Sequence, residues 1–156
     1  MKTKTSFKKE GIKAEKTAAE YLKSEGYKIL ALNARAGMQE IDIVCEDDLY
    51  CVFVEVKYTG TLVGLNGFTA RPSVRVDRDK RNRLIKGVKR YISENGVSLP
   101  PRIDVIEIYG NPESVIDTAQ EEDVKFASLK NGVRLVHIRN AVTDDMRTPE
   151  KKRRQL

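Results

Sequence analysis

The 156-residue sequence has one histidine and two cysteines. A lone His137 cannot build a histidine-rich metal cage, and no CxxC pair is present to seed a zinc site. Cys45 and Cys51 flank a short acidic stretch. With a two-residue turn at Asp47-Asp48, their side chains fall on opposite faces of a sheet, so both read as small core residues rather than a disulfide. No run of about 18 apolar residues occurs, so no membrane span is expected. The basic start, MKTKTSFKKEG, has no apolar stretch behind it and does not read as a secretory signal. The expected location is the cytoplasm.

The length suits one domain around one core. Net charge is +6 and the isoelectric point about 9.3. The basic excess is local. Between 71 and 90 lie Arg71, Arg75, Arg78, Lys80, Arg81, Arg83, Lys86, Lys89 and Arg90, against only Asp77 and Asp79. Such a run suggests a polyanionic partner, with a solvated helix face as the plainer reading.

Periodicity predicts a helix over 6–25, with Ile12, Glu15, Ala18 or Ala19, and Leu22 on its buried side and Gly26 as its C-cap. Glu15 is out of place in that stripe. Strands are expected over 27–33, 39–46, 49–57, 102–109 and 133–139. A second helix is expected over 77–94, its stripe formed by Leu84, Ile85, Val88, Tyr91 and Ile92. Gly60, Gly64 and Gly67 punctuate a loop over 58–76 that lacks the GK[ST] of a phosphate-cradling P-loop. Residues 111–130 read as polar and partly helical. One domain is expected over 6–141, followed by a charged, disordered tail over 142–156. The order implies an α/β fold with a mixed sheet flanked by helices.

The stretch GMQEIDIVCEDDLYCVFVEVK (37–57) carries the chemistry. Side chains alternate across a strand, so Glu40, Asp42 and Val44 share one face of the first strand, and Cys51, Phe53, Glu55 and Lys57 share one face of the second. A two-residue turn pairs Asp42 with Phe53, sets Glu40 opposite Glu55, and leaves Asp42 diagonal to Glu55, with Cβ atoms within about 7–8 Å. Clustered carboxylates demand a positive centre. Lys57 supplies one charge, and a Lys57–Glu ion pair at a strand end is the plain structural alternative. A divalent ion supplies more, and oxygen-only ligands suit Mg²⁺ or Mn²⁺.

An Asp followed by ExK on consecutive strands, with a glutamate on a preceding helix, resembles the PD-(D/E)xK nuclease superfamily. The blocks GIKAEKTAAEYL, GYKILALN, EIDIV, VFVEVK, KRNRL, RIDVIEI and HIRNA, from Gly11 to Ala141, are similar to the YraN-like (UPF0102) family of small bacterial proteins, related to Holliday-junction resolvases. Gln39 and Thr59 stand where that family usually has Gly and often Arg. The resemblance implies a restriction-endonuclease-like αβββαβ core. It implies that Asp42, Glu55 and the Val56 carbonyl hold a metal, with Glu15 and Glu40 as further candidates, and that Lys57 is the active-site lysine beside Glu15, Asp42 and Glu55.

The expected function is Mg²⁺- or Mn²⁺-dependent endonucleolytic hydrolysis of phosphodiester bonds in DNA, branched or junction DNA included. Arg75, Arg78, Lys80, Arg81, Arg83 and Lys86 would track the backbone. A homodimer suits two cuts on two strands. The rival is a nucleic-acid-binding protein that keeps the fold and cleaves nothing. His137 and Asn140 read as structural, and Tyr91 as core.

Overall fold

In the computed structural model, residues 4–59, 78–110, 124–129 and 133–143 are described. Helix α1 spans Lys4–Ser24 and buries Ala14, Ala18, Ala19, Tyr21 and Leu22. Ala14, Ala18, Tyr21 and Leu22 recur at three- and four-residue spacing, and the small alanines let the helix lie close to the strands beneath it. Ile12 projects past the edge of this stripe, which is centred on Ala18, and is 48% exposed. Glu15, one turn on from Ile12 on the same side of Ala18 but nearer to it, stays half-buried. Gly26, at φ +94°, ends the helix; the Tyr27 amide donates to the Leu22 carbonyl at 3.0 Å and the Gly26 amide to the Lys23 carbonyl at 3.1 Å, the two bonds of a Schellman cap.

Strands β1 (Lys28–Ala36), β2 (Gln39–Glu46) and β3 (Cys51–Thr59) form an antiparallel meander. Helix α2 (Arg78–Asn95) leads to β4 (Pro101–Tyr109), which pairs parallel with β3. A parallel pair needs a crossover of this kind. β5 (Val124–Ser128) and β6 (Arg134–Val142) complete a mixed sheet of order β1-β2-β3-β4-β6-β5. One core joins α1 to Ile43, Cys45, Val52, Val54, Ile106, Ile108 and Leu135. A second, on the opposite face, joins Val88 of α2 to Ala36, Ile41, Val44, Cys51 and Phe53. Cys45 and Cys51 therefore lie in different cores as free thiols, as the alternation predicts. Tyr91 packs edge-on against Phe53.

Three expectations change. The β2–β3 turn is wider than two residues, since Glu46 pairs with Cys51. Asp47 causes this: its Oδ1 accepts the amides of Leu49 at 2.8 Å and Tyr50 at 2.7 Å, and its own amide donates to the Tyr50 carbonyl. The stretch 111–130 contains strand β5 at its end, which at five residues is too short to show a period; 111–123 lie outside the described residues. β6 runs through Val142, which is buried, three residues past the end of the strand expected over 133–139. The tail expected to be disordered lies, from 144 on, outside the described residues, as does the glycine-rich loop over 60–76.

His137 and Asp104 sit under α1 at 2% and 0% exposure. His137 Nε2 is 2.7 Å from Asp104 Oδ2, and its Nδ1 is 3.2 Å from the Tyr21 hydroxyl. Arg102 donates to both Asp104 oxygens at 2.8 Å and to the Tyr27 hydroxyl at 2.9 Å. The Asn140 amide, on a residue at φ 53°, adds a donor to Asp104 Oδ1. This network ties β4, β6, α1 and the chain after α1 into one unit, and it gives His137 and Asn140 the structural roles expected of them. Removing its carboxylate strands a guanidinium and an imidazole. Asp104→Ala should cost about 3–5 kcal/mol of unfolding free energy in urea titrations. A loss under about 1 kcal/mol would show that the network contributes little.

Candidate functional site

The site begins where two strands part. β2 pairs with β1 along Gln39–Glu46, but with β3 only from Ile43 to Glu46. β3 continues alongside β4 as far as the Thr59–Tyr109 pair. Gln39–Asp42 and Glu55–Thr59 thus form the two prongs of a fork. The face pattern breaks at the same point. Ile41 belongs to the α2 core, Ile43 to the α1 core and Val44 to the α2 core again, whereas strict alternation would put Ile41 and Ile43 together. On β1, between the partners of Ile43 and Ile41, Asn33 takes φ 50°, a conformation that asparagine tolerates better than most residues. Helix α2 lies close over the β2 prong. A Cβ on Gly87 would lie 3.0 Å from the Gln39 Cβ, so a larger residue there would have to push the helix and the prong slightly apart.

In the fork, the Val56 amide donates to Asp42 Oδ2 at 2.8 Å. It takes a carboxylate where a continuing ladder would offer a carbonyl. The N–H and C=O of one strand residue point to the same edge, so the Val56 carbonyl also opens into the fork. Counting on from the Ile43–Val54 pair, Asp42 comes opposite Glu55. The wider turn moves the register by two residues, which preserves the face. Glu40 therefore loses its place opposite Glu55.

Glu55 is 7% exposed. Its Oε1 lies 3.3 Å from Lys57 Nζ and 2.8 Å from Lys80 Nζ. Asp42 and Glu55 are close enough to share a hydrogen bond. Burial, then the charge of Glu55, pushes the Asp42 carboxyl up to about 7; the Val56 amide opposes this, and the more distant Glu15 adds to it. Burial lowers the Lys80 ammonium, but its contact with Glu55 and the Glu55 and Asp42 charges carry it above its ordinary value.

A cleft of about 350 Å³ collects these groups. Glu15 enters from α1, Gln39, Glu40 and Asp42 from β2, Glu55 from β3, and Lys80, Arg83 and Leu84 from α2. Lys57 does not line it and reaches it through Glu55. Among the described residues, no three His, Cys, Asp or Glu side chains converge as a ready ion cage. The pair Asp42–Glu55 is the centre; Glu15 and the exposed Glu40 are peripheral. Of the basic residues, Lys80 and Arg83 border the cleft, Arg78 and Lys86 are exposed, Arg81 is half-buried, and Arg75 lies outside the described residues.

The direct contact of Lys80 with Glu55 was not anticipated from the sequence. Its signal was present. Lys80, Leu84, Gly87 and Val88 recur at helical spacing, so the apolar stripe of α2, carried one turn toward its start, puts Lys80 on the sheet-facing side.

Fold and cleft together define a small α/β protein with a carboxylate pair at a strand fork, bordered by basic residues of one helix. The model of the family described as "Uncharacterised protein family UPF0102" matches residues 14–108, and the chain belongs to that family. A UPF0102 protein of Caldanaerobacter subterraneus subsp. tengcongensis is 41% identical over 113 residues, covering 72% of this chain and 88% of that protein. One of Lachnoclostridium phytofermentans is 41% identical over 101 residues, covering 64% and 81%. One of Kosmotoga olearia is 41% identical over 106 residues, covering 67% and 86%. The matched segment contains every residue of the cleft; β5 and β6 lie beyond it.

The raised Asp42 value has a consequence for stability. The unfolded carboxyl loses its proton near 3.8 and the folded one near about 7. The folded state therefore holds the extra proton between those values. Its stabilising contribution is full at low pH and is lost as pH rises through about 7. In protein kept metal-free by a chelator, Asp42→Asn keeps an acceptor for Val56 and removes the titration. Denaturation midpoints of the variant should therefore gain on wild type as pH rises from about 4 to about 7 and level off above that. A pH-independent difference would contradict the assignment.

Proposed function

We propose that this protein is a divalent-metal-dependent endonuclease that hydrolyses phosphodiester bonds in DNA, junction DNA included. The observation that carries the reading is the Asp42–Glu55 pair, two carboxylates held within hydrogen-bond reach in a cleft bordered by Lys80 and Arg83. Buried like charges at that distance call for a cation. The order α1-β1-β2-β3-α2-β4, with Asp42 on β2 and Glu55-Val56-Lys57 on β3, supports kinship with the PD-(D/E)xK, restriction-endonuclease-like superfamily.

The donor set fits Mg²⁺ or Mn²⁺. Mg²⁺ is commonly held by one or two carboxylates plus substrate phosphate oxygens, with waters filling the rest, rather than by an all-protein cage. Asp42, Glu55 and the Val56 carbonyl are such donors. When bound, the ion supplies acidity to water and neutralises charge that develops on the phosphoryl group. The chain's own groups do the rest. The Val56 amide fixes the orientation of Asp42. Lys57, on the prong and paired with Glu55, orients the attacking water or the phosphate. Glu15 is placed to accept a hydrogen bond from water at the α1 side of the cleft. Arg78, Arg81, Arg83 and Lys86 follow the phosphate backbone and confer strong salt dependence. Among the described residues, no helix is long and apolar enough to cross a membrane. A cytoplasmic homodimer acting on paired strands completes the proposal.

The test is cleavage of linear, single-stranded and four-way DNA by purified protein in Mg²⁺, Mn²⁺ and EDTA. Metal-dependent cleavage should fall at least about 100-fold in both Glu55→Ala and Lys57→Ala. Cleavage that survives either substitution belongs to a contaminant. Salt-sensitive DNA binding with no cleavage in any metal would replace the enzyme with the non-cleaving, nucleic-acid-binding alternative.

A further inference from the structure

One oxygen of Glu55 carries two ammonium groups. Lys57 reaches Oε1 from two positions along the same strand, at 3.3 Å, as alternation makes easy. Lys80 reaches the same atom from a different element and comes closer, at 2.8 Å. To do so its stem lies on the sheet-facing side of α2, in line with Leu84 and Gly87. The oxygen it occupies belongs to one of the two carboxylates that a divalent ion would need.

We propose that Lys80 is the protein's own stand-in for the divalent ion: it neutralises Glu55 while the metal is absent, yields the oxygen when metal binds, and then carries its ammonium to the substrate phosphate beside Arg83. The proposal rests on the metal-site reading above and adds a positioning residue to it. A lysine suits the exchange. Its ammonium is a compact charge on a flexible four-carbon stem, and it contacts the carboxylate at one oxygen, unlike the two-point fork of an arginine. Arg83 is one turn further along α2 and borders the same cleft, so the two cations can meet one phosphate together.

The consequence is a DNA contact that exists only when metal is present. Two measurements on the full-length protein test it: Mn²⁺ binding by electron paramagnetic resonance, and DNA binding by fluorescence anisotropy in EDTA and in Ca²⁺, which takes the same oxygen ligands. Lys80→Gln and Lys80→Met should bind Mn²⁺ about five- to tenfold more tightly than wild type. Arg83→Gln, which changes the field without vacating Glu55, should alter Mn²⁺ affinity less than about twofold. Both Lys80 variants should bind DNA like wild type in EDTA. In Ca²⁺ they should bind it more weakly, with a salt slope lower by about one. Arg83→Gln should weaken DNA binding in both conditions. Unchanged Mn²⁺ affinity in the Lys80 variants overturns the proposal, as does equal weakening of DNA binding in EDTA and Ca²⁺. If wild type takes up no Mn²⁺ and Glu55→Gln changes nothing, the metal-site reading fails and this proposal fails with it. If wild type binds Mn²⁺ and only the Lys80 predictions miss, the metal site stands and the exchange alone is wrong.

Discussion

Where β2 leaves β3, the Val56 amide loses its ladder partner and the Asp42 carboxylate takes that place at 2.8 Å. A buried amide left without an acceptor costs about 1–3 kcal/mol, so the fork is tolerable only because a side chain closes it. The same bond fixes the carboxylate against Glu55. Had Ile41 kept the ladder going, the carbonyl of a backbone would sit where a charge now sits, and the cleft would be filled by paired strands. The chemistry of the site therefore follows from one local choice, a side-chain acceptor in place of a backbone one.

Two aspartates show what such a choice does to electrostatics. Asp104 is fully buried, and burial alone would raise its pKa; hydrogen bonds and charges from His137 and Arg102 hold it below the ordinary value. Asp42 is also largely shielded from water, but the charge that acts on it most strongly is that of a carboxylate, Glu55, and its pKa goes the other way. The first network supplies its own counter-charges and is complete within the described residues that form it. A satisfied polar network of that kind rigidifies a fold. The second is anionic in excess and only partly offset by Lys57 and Lys80, which is the condition under which a ligand has something to contribute.

Much of this was readable from the residues, and the reason is parity. Strand alternation fixes which face a side chain takes, and a two-residue error in the turn leaves every face unchanged. Asp42 and Glu55 could therefore be brought together although the turn was drawn two residues too short. What the sequence did not disclose depends on contacts between distant segments. The wider turn depends on Asp47 capturing two amides with one oxygen. The fork depends on α2 pressing on Gln39 at Gly87 and on the face switch at Asp42. Ile12 and Glu15 lie on the same side of the α1 stripe, one turn apart, and spacing alone could not say that Glu15 stays within it while Ile12 falls just outside. Residues near the start of α2 read as a basic surface for a polyanion, with a solvated helix face as the alternative, because the apolar stripe begins only at Leu84; that Lys80 extends it becomes visible only once the helix is seen against the strand.

The start of α2 runs against ordinary helix electrostatics. Its N-terminal end is the positive pole of the helix dipole, where anions are favoured by about 0.3–1 kcal/mol each. Here Arg78, Lys80, Arg81 and Arg83 gather in the first two turns with Asp79 as the sole acid. Stability alone does not explain that placement. In the proposed nuclease an anion outside the helix would account for it, attracted by the dipole and by the side chains together. The same anion would be repelled by the floor of the cleft, where Asp42 and Glu55 lie with Glu15 and Glu40 at its edge. Border and floor thus make opposite demands on a phosphate, and a cation on the floor reconciles them. In the proposed nuclease this places the phosphate at the boundary between the two, held by basic residues on one side and drawn toward the carboxylate pair on the other only when that pair has been neutralised.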